Sequence, residues 1–383
     1  MKNIQNKKTS NKKQHFVPQF YLRNFSSDKF NVGVFHLKTC EMKLSPISST
    51  CQESYFYGKD GEFESLLEKI DDNHAKTVKK TIESKSVPKY ASNDYIGLLE
   101  FLLVLHARTL IERQFVSNMG NAFCEHYLKP VMQSHLRSEG YNQENIERYS
   151  VKITNMDVFH KQSILTSMNS IIGIRDLVAN IIVNNSTIPF ISSDSPVIFN
   201  NRIHLDNNFT ALFSRGLQIH CPLSPHIYLI LYDPAFYSIN QANLINLEDI
   251  NRLNSLQILH SNEIIIVSES TSKQYLNKLY LKYHNLTRQK SAIFQTKKSD
   301  WIDENTRSDI DELTVENANY HINFNFLKFN HKIYRTFKRE YEKTRKEHIN
   351  AVFPRDPETV RELERYREMI DQDLKQDDAT CTL

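Results

Sequence analysis

Ile188-Pro189-Phe190-Ile191-Ser192-Ser193-Asp194-Ser195-Pro196-Val197-Ile198-Phe199 is the stretch in which the periodicity of the chain changes. Apolar runs of four residues bounded by Pro and Ser are the length of buried strands and too short for helices. Leu217-Gln218-Ile219-His220, Ile227-Tyr228-Leu229-Ile230-Leu231 and Glu263-Ile264-Ile265-Ile266-Val267 follow in the same manner. Helical spacing over 244–259 and 272–283 lies around the last of them. A sheet covered by helices is therefore predicted from Thr187 to about Val267.

Upstream of that stretch the spacing is helical. Phe63, Leu66, Leu67, Ile70, Val78 and Ile82 recur every three or four residues and predict a long helix over 62–82, with His74 on its apolar side. Further helices are predicted over 93–116, 122–138 and 158–183, the first of these apolar nearly all round. Residues 15–25 read as a short helix with Pro18 in its first turn, and 32–37 with 43–47 as a hairpin. Downstream, 322–329 is strand-like, while 334–348 and 357–374 read as charged helices. The expected fold class is α+β: a helical first half, a mixed β-sheet with covering helices in the second half, and a charged helical C-terminal extension. The expected boundaries are a disordered basic arm at 1–13, a core domain at 14–285 (helical part 14–186, sheet part 187–285) and an extension at 286–383.

Composition narrows the function. The 383 residues are 40 % apolar, 11 % aromatic and 24 % charged, which fits a globular chain with a sizeable core. Eight glycines and no G-x-x-x-x-G-K-[ST], G-x-G-x-x-G or G-x-S-x-G string leave P-loop, Rossmann and nucleophile-elbow chemistry without sequence support. Five scattered cysteines form no C-x-x-C pair, which points to a reducing cytoplasm rather than to a zinc site. No signal peptide and no membrane span is expected. A net charge of +3 says little by itself, but residues 1–14 hold five lysines and no acid, and 331–348 hold seven Lys/Arg against three Glu.

Several polar groups stand where chemistry is conceivable. Glu64, Glu68 and Asp71, at i, i+4 and i+7, form a carboxylate row beside the apolar stripe of their helix, so the row asks for a cation or an arginine. Arg108, at the end of the most apolar helix, must find an acid such as Asp71 or Asp194, or else an anionic substrate. Asp194, in a loop between strands, could ligate metal, act as a base or bond its own turn amides. His15 is a candidate base or metal ligand, or a mere anchor of the N-terminus, and Gln19 would share its face. Asn251, Asn254 and Gln257 make an amide stripe suited either to orienting a substrate or to strapping a strand.

His15-Phe16-Val17-Pro18-Gln19-Phe20-Tyr21-Leu22-Arg23-Asn24-Phe25 resembles the opening His-x-Val-Pro-Gln-x-Tyr-Leu-x-x-Phe of a mostly bacterial family, domain of unknown function 4238. Glu64 with Asp71, Arg108, the Ser193–Pro196 turn, Pro222–Pro225 and the Asn251/Asn254/Gln257 helix are similar to further positions of that family. The resemblance spans about 14–267 and implies a shared fold, with no activity attached.

The leading functional expectation is a cytoplasmic nucleic-acid hydrolase, a nuclease-like effector in defence against phage. Glu64, Asp71 and Asp194 would bind Mg2+ or Mn2+ or polarise water, and His15 would move protons. Arg108 would hold phosphate, Gln19 and the amide stripe would orient the substrate, and the basic segments would track DNA or RNA. The alternative is a non-catalytic regulatory protein that docks a partner protein through the charged C-terminal helices. A third reading is a small-molecule or nucleotide hydrolase. Convergence of Glu64, Asp71, Arg108 and Asp194 on one open cleft favours an enzyme, and complete pairing in a sealed interior favours the partner protein.

Overall fold

The computed structural model describes residues 12–149, 151, 153, 155–203, 212–239, 245–285, 291–298, 309–316, 322–347, 355 and 361. The chain opens with β1 (Lys13–His15), α1 (Gln19–Leu22) and a 3-10 turn (Arg23–Phe25), followed by β2 (Asn31–His36), β3 (Glu41–Pro46) and β4 (Gln52–Ser54). The helices α2 (Glu62–Ser84), α3 (Asn93–Ala107), α4 (Leu110–Phe123), α5 (Lys129–Ser138), α6 (Gln143–Arg148) and α7 (Met156–Asn169) come next. Then follow β5 (Val178–Val183), β6 (Ser192–Ser193), β7 (Ile198–Asn201), β8 (Leu217–Ser224), β9 (Ile227–Tyr232), β10 (Tyr237–Ile239), α8 (Leu247–His260), β11 (Ile264–Val267) and α9 (Lys273–Tyr283). The last described elements are the hairpin β12 (Ser291–Lys298) and β13 (Asp309–Glu316), then β14 (Leu327–Phe329) and α10 (His331–Glu347). This is an α+β fold whose strand pairings are antiparallel throughout the described residues.

The central sheet runs β5-β9-β8-β7. All residues of β8 and β9 are buried, because the sheet is covered on both faces. Alternate side chains of β9 serve different cores: Ile227, Leu229 and Leu231 join α3 and the aromatic N-terminal segment, whereas Tyr228 and Ile230 meet Ile250, Leu253 and Leu256 of α8. The second core is closed by Phe324, Phe326, Leu327 and Phe337, so the strand and first basic helix after residue 285 pack as part of the body. All of the helix expected at 357–374 except Arg361 lies outside the described residues, as do residues 1–11 of the arm expected at 1–13; Lys13 of that arm is instead part of β1.

A second sheet, β3-β2-β11-β6, unites the early hairpin with strands some 160 to 230 positions later. Strands therefore occur in both halves of the chain, and the division at residue 187 into a helical and a sheet part does not describe it. Gly33 is needed in β2 because a Cβ there would lie 2.7 Å from the Val267 side chain and 2.9 Å from its carbonyl oxygen.

Three helix expectations change. The run predicted over 93–116 breaks at Arg108, where the Thr109 hydroxyl accepts the Glu112 amide (3.4 Å) and starts α4 as a new helix. The helix predicted over 122–138 is instead the end of α4, a π turn (Cys124–Leu128) and α5. The helix predicted over 158–183 ends at Asn169, and its β-branched tail becomes β5 against β9. The strand expected at 188–191 forms no ladder: Phe190 N donates to Pro225 O (2.9 Å) and Ile191 N to the Asn254 side-chain oxygen (3.0 Å).

Candidate functional site

The N-terminal motif and α2 face each other across a cleft of about 430 Å³. One wall carries Lys13, His15, Gln19 and Arg23; the other carries Glu64, Glu68, Asp71 and Asp72, with Tyr57 and Arg108 also lining it. The first wall is held by β1, whose residues 13–15 pair with 52–54, and by Pro18, which caps the start of α1 three positions after His15. The second wall follows from spacing alone, since residues 64, 68, 71 and 72 lie along one edge of a helix.

Arg108 ties the walls together. Its Nη1 donates to both carboxylate oxygens of Asp71 (2.8 and 3.0 Å), its Nε to the Tyr57 hydroxyl (3.2 Å) and its Nη2 to the His15 carbonyl (2.7 Å). The helix break at Thr109 delivers it there, and at 3 % exposure it is a structural strut with its hydrogen bonds directed at protein groups. Tyr57 is stacked on the buried ring of His160, which backs the cleft.

The rest of the cleft is open to water. His15 is half-buried, and its Nε2 lies 3.3 Å from the Ile47 carbonyl. A carbonyl only accepts, so we assign the proton to Nε2 and the lone pair to Nδ1. Burial, reinforced by the nearby Arg108 and Arg23 charges, holds the imidazole below its ordinary 6.5 against the opposing Ile47 bond. Glu64 moves the other way: burial lifts it above its ordinary 4.5, and repulsion from Glu68 adds to the rise that the Gln14 amide resists. Gln19 accepts from Arg23 Nη2 (2.9 Å) through its side-chain oxygen. Lys13 and Arg23 thus stand on one rim, and Glu68 and Asp72 on the other.

The remaining sequence candidates are elsewhere. Asp194 is 4 % exposed and accepts the amides of Asn262 (2.8 Å), Glu263 (2.7 Å) and Ile264 (3.1 Å), so it caps the start of β11. Burial still lifts it to about 6. The proposed metal set of Glu64, Asp71 and Asp194 is not assembled: Asp71 is taken by Arg108 and Asp194 by backbone. Among the described residues no group of three or more His, Cys, Asp or Glu is placed to hold a metal ion. The amide stripe is also structural. Asn254 accepts from Ile191 N and donates to Pro189 O (3.0 Å) and the Tyr275 hydroxyl (2.9 Å); Gln257 accepts from Ser193 Oγ (2.7 Å) and donates to Pro196 O (2.9 Å). Both strap the 189–196 segment, in which Ser192 and Ser193 alone pair in a ladder, against β11. Asn251 is half-buried and does not line the cleft.

His15, Gln19, Glu64, Asp71 and Arg108 line one cleft, and Asp194, Asn251, Asn254 and Gln257 do not. Lys13, Arg23, Tyr57 and Asp72 were not anticipated. The signals available for them were the lysines that lead into the motif, the arginine inside it, and the Tyr55-Phe56-Tyr57-Gly58 cluster ahead of α2.

The molecule is thus an α+β protein with an ion-paired cleft built between its N-terminal motif and its first long helix. The family model described as protein of unknown function, DUF4238, matches residues 13–271, and the chain belongs to that family. No curated protein and no solved structure matches it. No helix among the described residues is long and apolar enough to cross a membrane.

Proposed function

We propose that the cleft hydrolyses phosphodiester bonds of nucleic acid by acid–base catalysis, with His15 as base and Glu64 as acid. The observation that carries this reading is that two titratable groups line one water-accessible hollow with their proton affinities shifted in opposite senses, His15 down and Glu64 up. A neutral imidazole takes a proton from water as the water oxygen bonds to phosphorus. A protonated carboxyl gives its proton to the departing oxygen as the phosphorus–oxygen bond breaks. Lys13 and Arg23 supply the positive rim for the phosphate. The four thiols known to be free, Cys40, Cys51, Cys124 and Cys221, suit a reducing cytoplasm.

A metal-assisted version of the same reaction would draw on Glu64 and Glu68, which line the cleft one turn apart on α2, together with substrate phosphate oxygens. Mg2+ is commonly held by one or two carboxylates together with substrate phosphates, and either Mg2+ or Mn2+ would here neutralise charge on a phosphoryl oxygen. This version keeps Glu64 and discards Asp71 and Asp194. The sealed half of the site, Arg108 with Asp71 and Tyr57, is what a non-catalytic protein requires; the open half is what a catalyst requires.

The test is incubation of the purified protein with plasmid, single-stranded DNA, RNA and free nucleotides, with Mg2+, Mn2+ or a chelator, beside H15A and E64Q. Cleavage lost in both variants supports the assignment, and the chelator arm separates the two versions. Cleavage of nucleotides alone moves the substrate to small molecules, and cleavage equal in wild type and variants removes the site. Defence against phage, the setting we attach to this activity, is tested by plaque counts on cells expressing the wild-type or H15A protein.

A further inference from the structure

A second cavity, of about 450 Å³, lies between β8, β10 and the segment 322–331. It shares no lining residue with the His15 cleft, and one of its walls lies beyond the family-matched residues 13–271.

Its charge has one sign. Arg202 and Lys328 line it, beside the His331 ring, and no carboxylate does among the described residues. Arg202 has no ion pair among the described residues; its guanidinium lies over the Phe329 ring, 4.5 Å from the centroid. The neighbouring acids are engaged elsewhere: Asp249 accepts the Asn325 amide (2.6 Å), and Glu248 accepts from the Asn325 side chain (3.1 Å) and from Arg252. His331 begins α10, a helix of 17 residues whose amide end carries partial positive charge. Asn330 caps that helix through the Ile333 amide (3.1 Å).

An independent feature asks for a ligand. Tyr237 lines the cavity, is 4 % exposed, and its enclosed hydroxyl makes no hydrogen bond of ordinary length, its polar neighbours being the Gln218 side chain and the Arg202 backbone. A buried phenol left in that state costs free energy that an added acceptor would recover. Beside it the rings of Phe324 and Phe329 add flat apolar surface, and the volume suits a ligand the size of one nucleotide.

We propose that this cavity binds a nucleoside monophosphate. Arg202, Lys328 and the first turn of α10 hold the phosphate, the Phe324 and Phe329 rings contact the base, and Tyr237 donates to the ligand. The site is independent of the His15 chemistry and stands whether or not that cleft is catalytic.

Isothermal titration of the full chain with AMP, GMP, CMP and UMP, and with adenosine, orthophosphate and a ten-nucleotide oligomer, tests it. The expected result is saturable one-to-one binding of at least one monophosphate, with the nucleoside and the bare phosphate each at least tenfold weaker. Arg202→Gln with Lys328→Gln, at solvent-accessible positions, should weaken binding at least tenfold; Tyr237→Phe, which keeps the ring, should weaken it severalfold. H15A should leave it unchanged. Absence of binding by all four monophosphates at millimolar concentration overturns the proposal. So does binding that survives the Arg202/Lys328 double variant, that is lost in H15A, or that orthophosphate or the oligomer matches.

Discussion

Arg108 donates through a single nitrogen to both carboxylate oxygens of Asp71, at 2.8 and 3.0 Å, and so fastens the end of α3 to the middle of α2. Its own guanidinium is almost entirely buried, and its other donors hold Tyr57 and the His15 carbonyl. Replacing Asp71 by Ala leaves that guanidinium uncompensated, which costs about 3–5 kcal/mol for a buried pair. Equilibrium urea unfolding should show a loss in that range, with a smaller loss in the Asp71→Ala/Arg108→Met double variant. A loss below about 1 kcal/mol in Asp71→Ala would remove the strut role, since exposed pairs contribute only that much.

Asp194 serves folding. Asp194→Ala strands the amides of Asn262, Glu263 and Ile264 and should cost about 3 kcal/mol or more, each buried donor left unpaired costing about 1–3 kcal/mol. Gln257→Ala, which frees Ser193 and the Pro196 carbonyl, should cost less. Any rate measured per folded molecule should be unchanged in both. A rate that falls while the unfolding midpoint stays fixed would return Asp194 to the reaction.

The pH dependence of cleavage follows from the two opposed shifts. His15 acts as a base only when deprotonated, above a value lowered from 6.5; Glu64 acts as an acid only when protonated, below a value raised from 4.5. Each moves toward the other, so a bell centred between pH 4.5 and 6.5 is expected. E64Q should remove one limb and H15A the other, with rate losses of about 10²-fold or more. An optimum above pH 8 would contradict the pairing.

Stability should fall as the solution is acidified from pH 7.5 to 5. Burial lowers His160 to about 4 and His220 to about 3, and each has a ring nitrogen with no partner. The unfolded chain takes up these protons below about 6.5 while the folded chain does not, so each histidine removes about 1.4 kcal/mol per pH unit in that window. Asp194, lifted to about 6, opposes them, because there the folded state binds the proton first. Glu64, Asp233 and Asp249, which burial raises by less, act in the same sense as Asp194, and the lowered His15 acts with the two buried histidines; because the histidine shifts are the larger and begin at a higher pH, urea unfolding at pH 7.5, 6 and 5 should show a net decrease. Stability that is level or rising toward pH 5 would show that these imidazoles protonate within the fold.

The local periods were legible because they are set by neighbours. The apolar stripe at Phe63, Leu67 and Val78 could only be a helix face, and the continuous apolar runs at β9 and β11 could only be strands buried on both sides. The carboxylate row and the arginine that answers it were visible for the same reason: a charge beside a core must find its opposite. Which acid Arg108 took, Asp71 rather than Asp194, was not. That choice depends on a two-residue helix break at Arg108 and Thr109 and on a strand, β11, arriving some 70 positions after Asp194 to claim its carboxylate. The same holds for Val178–Val183, whose composition allowed helix or strand until β9 supplied a ladder. The sequence by itself determined the periods, the class of fold and the inventory of charge; the tertiary structure alone decided the pairing, since electrostatic and hydrogen-bond partners are matched through space and chain order does not record distance.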